Sequence, residues 1–175
     1  FFLDSVYADH YRARKEPSND LKVKECMVFI CRQGGWRQTD EALYRPRQAE
    51  IKPGQVGNFQ LLRENQDYEI DRVHGYIAFN TNSVSLNDPD VIGVYFRSNS
   101  GGFGRGDTTG FSTITSDDSL KTIDLEIIKP ASVRPQDPEW KLMWKNVYSI
   151  GVVERGDAKD MRIEIVLNDT INHQN

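Results

Sequence analysis

The longest unbroken apolar run in the chain is CMVFIC, Cys26–Cys31. Six residues fall far short of the ~20 that a membrane-spanning helix needs. Upstream, Leu21, Val23, Met27 and Phe29 alternate with Lys22 and Lys24, until Val28 and Ile30 make the second side apolar as well. That pattern predicts a strand that passes from the edge of a core into its middle. Extended chain advances ~3.3 Å per residue, so Cys26 and Cys31 should lie ~16 Å apart in such a strand. A disulfide needs Cα atoms within ~7 Å. The two cysteines are therefore expected to be free thiols on opposite faces, at least one of them buried.

The remaining segments are short and bounded by Gly, Pro and Asn/Asp clusters. FFLDSVYADHYRARKEP places Phe2, Leu3, Val6, Tyr7 and Tyr11 at offsets of three and four, a helical stripe that Pro17 closes. Arg32–Asn58 has mixed polarity, with two prolines and four glycines, and reads as loop with at most one short strand. FQLLRENQDYEID and GYIAFNT are predicted as two strands joined by RVHG, where Gly75 supplies a positive φ. DPDVIGVYFRS is a further strand, and SNSGGFGRGDTTG a Gly-rich loop. LKTIDLEIIK sets Ile123, Leu125 and Ile127 against Thr122, Asp124 and Glu126. After the Pro-rich KPASVRPQDP come WKLMWKNVYSIGVV and the alternating MRIEIVLND. One N-terminal helix and many irregularly spaced strands predict a mainly β fold, an antiparallel sheet or β-sandwich. The 175 residues suit a single domain. A first residue of Phe1 rather than Met reads as a piece cut from something longer, with any targeting segment outside it.

A net charge of −4 with scattered basic residues gives no nucleic-acid footprint. The basic residues gather only at YRARK (Tyr11–Lys15) and YRPR (Tyr44–Arg47). His10, His74 and His173 are dispersed and there is no second Cys pair, so no zinc site is expected.

Asp67, Glu69 and Asp71 stand at alternate positions and would share one face of a strand. Carboxylates ~6.6 Å apart in a row do not converge on an ion, and a straight strand cannot wrap one. They read as a solvated face. SGGFGRGD lacks the Lys-Ser/Thr and the glycine spacing of a phosphate-binding loop. Arg-Gly-Asp at Arg105–Asp107 and Arg155–Asp157, and the Asn168-Asp169-Thr170 triplet, have ordinary turn composition. No nucleophile motif is present, so no catalytic residue and no cofactor are expected. Trp140, Trp144 and Tyr148 recur at offsets of four and share a face whether the segment is helix or strand. Core or interface packing is the reading preferred over a sugar-stacking platform.

WKLMWKNVYSIG resembles a segment of the SprA/Sov family, the giant outer-membrane translocon of the type IX secretion system of Bacteroidota. The family pattern there is approximately Trp-x-Leu-Met-x-Lys-Asn-Val/Ile-Tyr-Ser-Leu/Ile-Gly. Trp140, Leu142, Met143, Lys145, Asn146, Val147, Tyr148, Ser149, Ile150 and Gly151 match it. FFLDSVYADHYR is similar to the aromatic-rich helix that opens the family's module. Asp67, Tyr68, Ile70, Asp71, Gly75, Tyr76 and Ile77 match its Asp-Tyr-x-Ile-Asp…Gly-Tyr-Ile hairpin, and DVIGVYFRSNSGG its following strand and turn. The resemblance spans about Phe1 to Asn168. It departs at CRQGGW, where the family's first strand usually ends in a Thr-Asn turn, and over Trp36–Gly57.

The resemblance implies a non-enzymatic structural or interaction domain of a protein-export channel, serving secretion and gliding motility. It implies a place in the cell envelope, attached to the outer-membrane barrel on its periplasmic or surface side. Partners would be other parts of the translocon, its accessory outer-membrane proteins and secreted cargo, without nucleic acid and without a membrane span of its own. Tyr68, Tyr76, Trp140, Trp144 and Tyr148 are then structural or interface residues, and no metal or cofactor is implied. The competing expectation is a free β-sandwich that binds a glycan or surface protein through Trp36, Trp140 or Trp144.

Overall fold

A computed structural model describes residues 1–32, 47–52, 55–101 and 123–144. The chain divides after Lys145; Phe1–Lys145 is one compact unit, and the second, Asn146–Asn175, lies outside the described residues. Tyr148, Trp36, both Arg-Gly-Asp tripeptides, the Asn168 triplet and MRIEIVLND also lie outside them.

The first unit is mainly β, with one N-terminal helix, as expected. Strands β1 (Val23–Cys31), β2 (Arg47–Lys52), β3 (Gln55–Leu61), β6 (Val91–Ser98) and β7 (Glu126–Lys129) form an antiparallel sheet in the order β2-β3-β1-β6-β7. A smaller sheet pairs β4 (Tyr68–Asp71) with β5 (Tyr76–Phe79). β1 and β6 lie centrally, and both of their faces are buried. Cys26, Val28 and Ile30 pack on one face with Ile92, Val94 and Phe96. Met27, Phe29 and Cys31 pack on the other with Val91 and Tyr95. The two thiols are therefore free, buried and on opposite faces.

The expected facing of β1 is wrong in its first half. Val23 sides with Val28, not with Met27, because the register against β6 shifts between Val23 and Glu25. An extra residue in one strand reverses the side-chain parity beyond it. Gly93 stands opposite Phe29, and a Cβ there would lie 2.9 Å from Leu125 Cδ1. A glycine at that point lets Leu125 pack down onto the sheet.

The Arg32–Asn58 stretch was expected to hold at most one strand, yet it contains β2 and the start of β3, paired from Arg47↔Phe59 to Lys52↔Gln55. Ala49, Ile51, Phe59 and Leu61 alternate with polar neighbours and pack on the second cluster. The sheet curls, so that Ile123 bridges in parallel to Ala49 on the far edge strand. FQLLRENQDYEID, predicted as one strand, is two strands in two sheets. Asn65 at φ 64 turns the chain between β3 and β4. Among the described residues of LKTIDLEIIK, 123–129, the strand β7 covers Glu126–Lys129, and Ile123 and Leu125 are buried as its alternation required. Trp140 lies in a 3-10 turn, Pro138–Leu142, with Pro at its start.

Candidate interaction site

Helix α1 spans Ser5–Arg12, shorter than its stripe suggested. Asp4 caps it, its carboxylate accepting from Val6 N at 2.8 Å. Phe2 and Leu3, expected in the helix, precede it; Phe2 bridges to Tyr76, and Leu3 N donates to Gly75 O. The helix stops before Pro17, in a Schellman turn. Lys15 N donates to His10 O at 2.9 Å and Arg14 N to Tyr11 O at 3.0 Å. These are the 6→1 and 5→2 bonds of that motif. Arg14 occupies the left-handed position at φ 53, where glycine is the usual residue.

The helix packs against the β4–β5 turn. Asp71 Oδ1 accepts from Val73 N and His74 N, each at 2.9 Å, and Oδ2 from His74 Nδ1 at 2.8 Å. Burial alone would raise the Asp71 pKa, but those bonds outweigh it and hold it below the usual carboxylate range. The turn closes at Gly75, φ 63, where a Cβ would come within 2.3–2.5 Å of the Tyr7 ring. Tyr7 is fully buried, and its hydroxyl donates to Leu21 O at 2.5 Å. An Asp–His pair can serve proton transfer, but here both carboxylate oxygens are committed to the turn. The pair braces a loop.

Above the turn the aromatic residues converge. Trp144 lies 4.5 Å from Tyr76, 5.2 Å from Tyr11 and 5.7 Å from Phe2, measured between ring centroids. Phe2 and Tyr11 are themselves 5.4 Å apart. Such tilted and edge-on pairs suit the ring quadrupoles. Phe2 N donates to Leu142 O at 2.7 Å, tying the segment before α1 to the 3-10 turn. Of the residues singled out in the sequence, Tyr76 and Trp144 meet here, both half-buried. Tyr68 is fully buried below, where burial pushes its phenol pKa well up. Trp140 is partly exposed in the 3-10 turn. Trp144 Nε1 is buried without a hydrogen-bond partner among the described residues.

The carboxylate row is not a solvated face. Asp67 precedes β4 and is 6% exposed, accepting from Arg63 Nε at 2.9 Å, Nη2 at 3.1 Å and N at 2.9 Å. Those Arg63 bonds depress its pKa, against the opposing effect of burial. Only Glu69 is exposed. Among the described residues, no group of three His, Cys, Asp or Glu could hold a metal ion.

Sequence reasoning missed two features. One is Lys129, which is buried and donates to Asn87 O, Asp88 O and Asp90 O at 3.2, 2.9 and 2.5 Å. The other is a cleft of about 630 Å³ at the end of α1, lined by Tyr11, Arg12, Arg14, Lys15, Glu16 and His74. The basic run YRARK was its only signal. No protein-family profile, curated protein or solved structure matches the chain.

Proposed function

We propose that the chain is a non-enzymatic structural and interaction domain of an outer-membrane protein-export translocon of the type IX kind. One observation carries the reading. Three stretches that resemble the SprA/Sov family, FFLDSVYADHYR, DYEIDRVHGYI and WKLMW, are far apart in sequence yet build a single node. Phe2, Tyr11, Tyr76 and Trp144 stack there, and backbone bonds join Phe2 to Leu142 and Leu3 to Gly75. A pattern spent on packing rather than on a reactive cluster is what a structural module would carry. On this reading the domain sits in the cell envelope beside the barrel and touches other parts of the translocon, its accessory proteins or secreted cargo.

The test places Tyr76→Ala and Trp144→Ala, singly and together, in the parent gene and follows type IX cargo in the medium together with gliding. Loss of export with the barrel still in the outer membrane supports the reading; normal export and motility with a destabilised domain would sink it. The second reading, a glycan-binding β module, draws on Tyr11, the ring of the node that is 46% exposed. Against it, Trp144 is packed by three rings and offers no open platform.

A further inference from the structure

The cleft at the end of α1 is basic, with Arg12, Arg14 and Lys15 in its lining. Arg12 is engaged by Asp9 at 3.6 Å and by the Lys141 carbonyl. Glu16, the one acid in the lining, pairs with Lys22 at 4.0 Å, and His74 is held by Asp71. Arg14 and Lys15 have no ion-pair partner among the described residues. The ring of Tyr11 forms the apolar wall and is 46% exposed.

Arg14 is the second, independent observation. Its left-handed φ of 53 closes the Schellman turn, a position that glycine fills without steric penalty. A β-carbon there is unfavourable for stability, and the side chain it carries lines the cleft. Non-glycine residues held in such conformations cluster at functional sites.

We propose that this cleft binds a phosphate monoester carried on a sugar-sized ring, with Arg14 and Lys15 on the phosphoryl oxygens and the ring against Tyr11. Two unspent cations match the charge of a monoester, which is between −1.5 and −2 near neutral pH, whereas a carboxylate would leave one of them unmatched. Arg brings a planar fork of donors and Lys a point charge, the usual pair on phosphoryl groups. At about 630 Å³ the cleft exceeds what a bare phosphate needs and falls in the range of small-ligand sites. The proposal stands apart from the translocon reading.

Calorimetric titration of the full chain tests it with glucose 6-phosphate, inorganic phosphate and glucose. Glucose 6-phosphate should bind, inorganic phosphate more weakly, and glucose not at all. Arg14→Gly should weaken glucose 6-phosphate binding by about tenfold or more, the loss of one charge-assisted contact, while melting at the same or a higher temperature. Lys15→Gln should weaken it similarly, and Tyr11→Ala should erase the preference over inorganic phosphate. Arg134→Ala, outside the cleft, should change nothing. Absence of glucose 6-phosphate binding to the wild type overturns the site. So does equal affinity in Arg14→Gly, Lys15→Gln and Arg134→Ala. Equal binding of inorganic phosphate and glucose 6-phosphate overturns the sugar ring.

Discussion

Gly75 shows how much one residue can decide. Its φ of 63 disfavours any side chain, and the space a Cβ needs is already filled by the Tyr7 ring. Left-handed backbone costs a non-glycine residue ~1–2 kcal/mol, and displacing a packed ring adds ~1–3. Gly75→Ala should therefore lose about 2–5 kcal/mol, read as a lower urea midpoint with an unchanged slope; a midpoint equal to wild type would show that the turn relaxes freely. The positive φ was legible in the sequence because Gly75 stands between two strand-like runs. Asp67 was not, because its alternation with Glu69 and Asp71 imitates a strand that in fact starts at Tyr68. The turn-forming Asn65 was the contrary signal. Asp67 and Asp71 both have depressed pKa values in the fold. A group whose folded pKa is depressed stabilises above its unfolded pKa, ~3.9 for Asp, and loses that contribution as pH falls through the folded value. Melting temperature should therefore drop below about pH 4, and Asp67→Asn should flatten that acid limb. An identical limb in Asp67→Asn would assign it to other carboxylates.

At the scale of elements, the central strands were legible and the edges were not. β1 and β6 announce themselves by continuous apolar runs, since both faces are buried. The β2–β3 hairpin escaped because its prolines and glycines read as loop, although Ala49, Ile51, Phe59 and Leu61 keep a strict period of two. The bulge near Lys24 has no composition signal at all, so the parity of Val23 could not be foreseen. The helix end was misplaced for a related reason: Arg14 fills the left-handed slot where a glycine would have marked the stop. Burial pushes the Cys26 thiol up to about 12 and raises Cys31 as well. Thiolate is the reactive form, so labelling at pH 8 should be slow in the native chain and should reach two thiols in denaturant. Fast native labelling of both would contradict the burial of β1 on its two faces. On β7, Lys129 ties the strand to the 87–90 loop through three carbonyls. Lys129→Met would leave the carbonyl of buried Asp90 without its donor, at roughly 1–3 kcal/mol for a lost group, and thermal melting should fall accordingly. A variant as stable as wild type would mean that water replaces the ammonium.

At the scale of the molecule, the aromatic node decides between the structural and binding readings. The sequence showed that Trp140, Trp144 and Tyr148 are regularly spaced, but not that Trp144 would meet rings from Phe2, Tyr11 and Tyr76. Contacts between residues so distant in sequence leave no local period to read. Removing a buried large aromatic costs ~3–5 kcal/mol; for half-buried Trp144 about 2–4 is expected. That is a sizeable share of a typical ~5–15 kcal/mol stability. For a chain of this size each kcal/mol moves the midpoint by ~2–4 °C, so Trp144→Ala should melt roughly 5–15 °C lower. Tyr76→Ala should act through the same contacts, so the two changes should be less than additive. A double-mutant cycle should give a coupling of ~0.5–1.5 kcal/mol, the range for a close aromatic pair. Trp140→Ala, partly exposed in the 3-10 turn, should cost less than either. If Trp144→Ala instead melts within a degree or two of wild type but abolishes capture of a glycan or protein partner, the ring serves recognition and the free binding module is the better account.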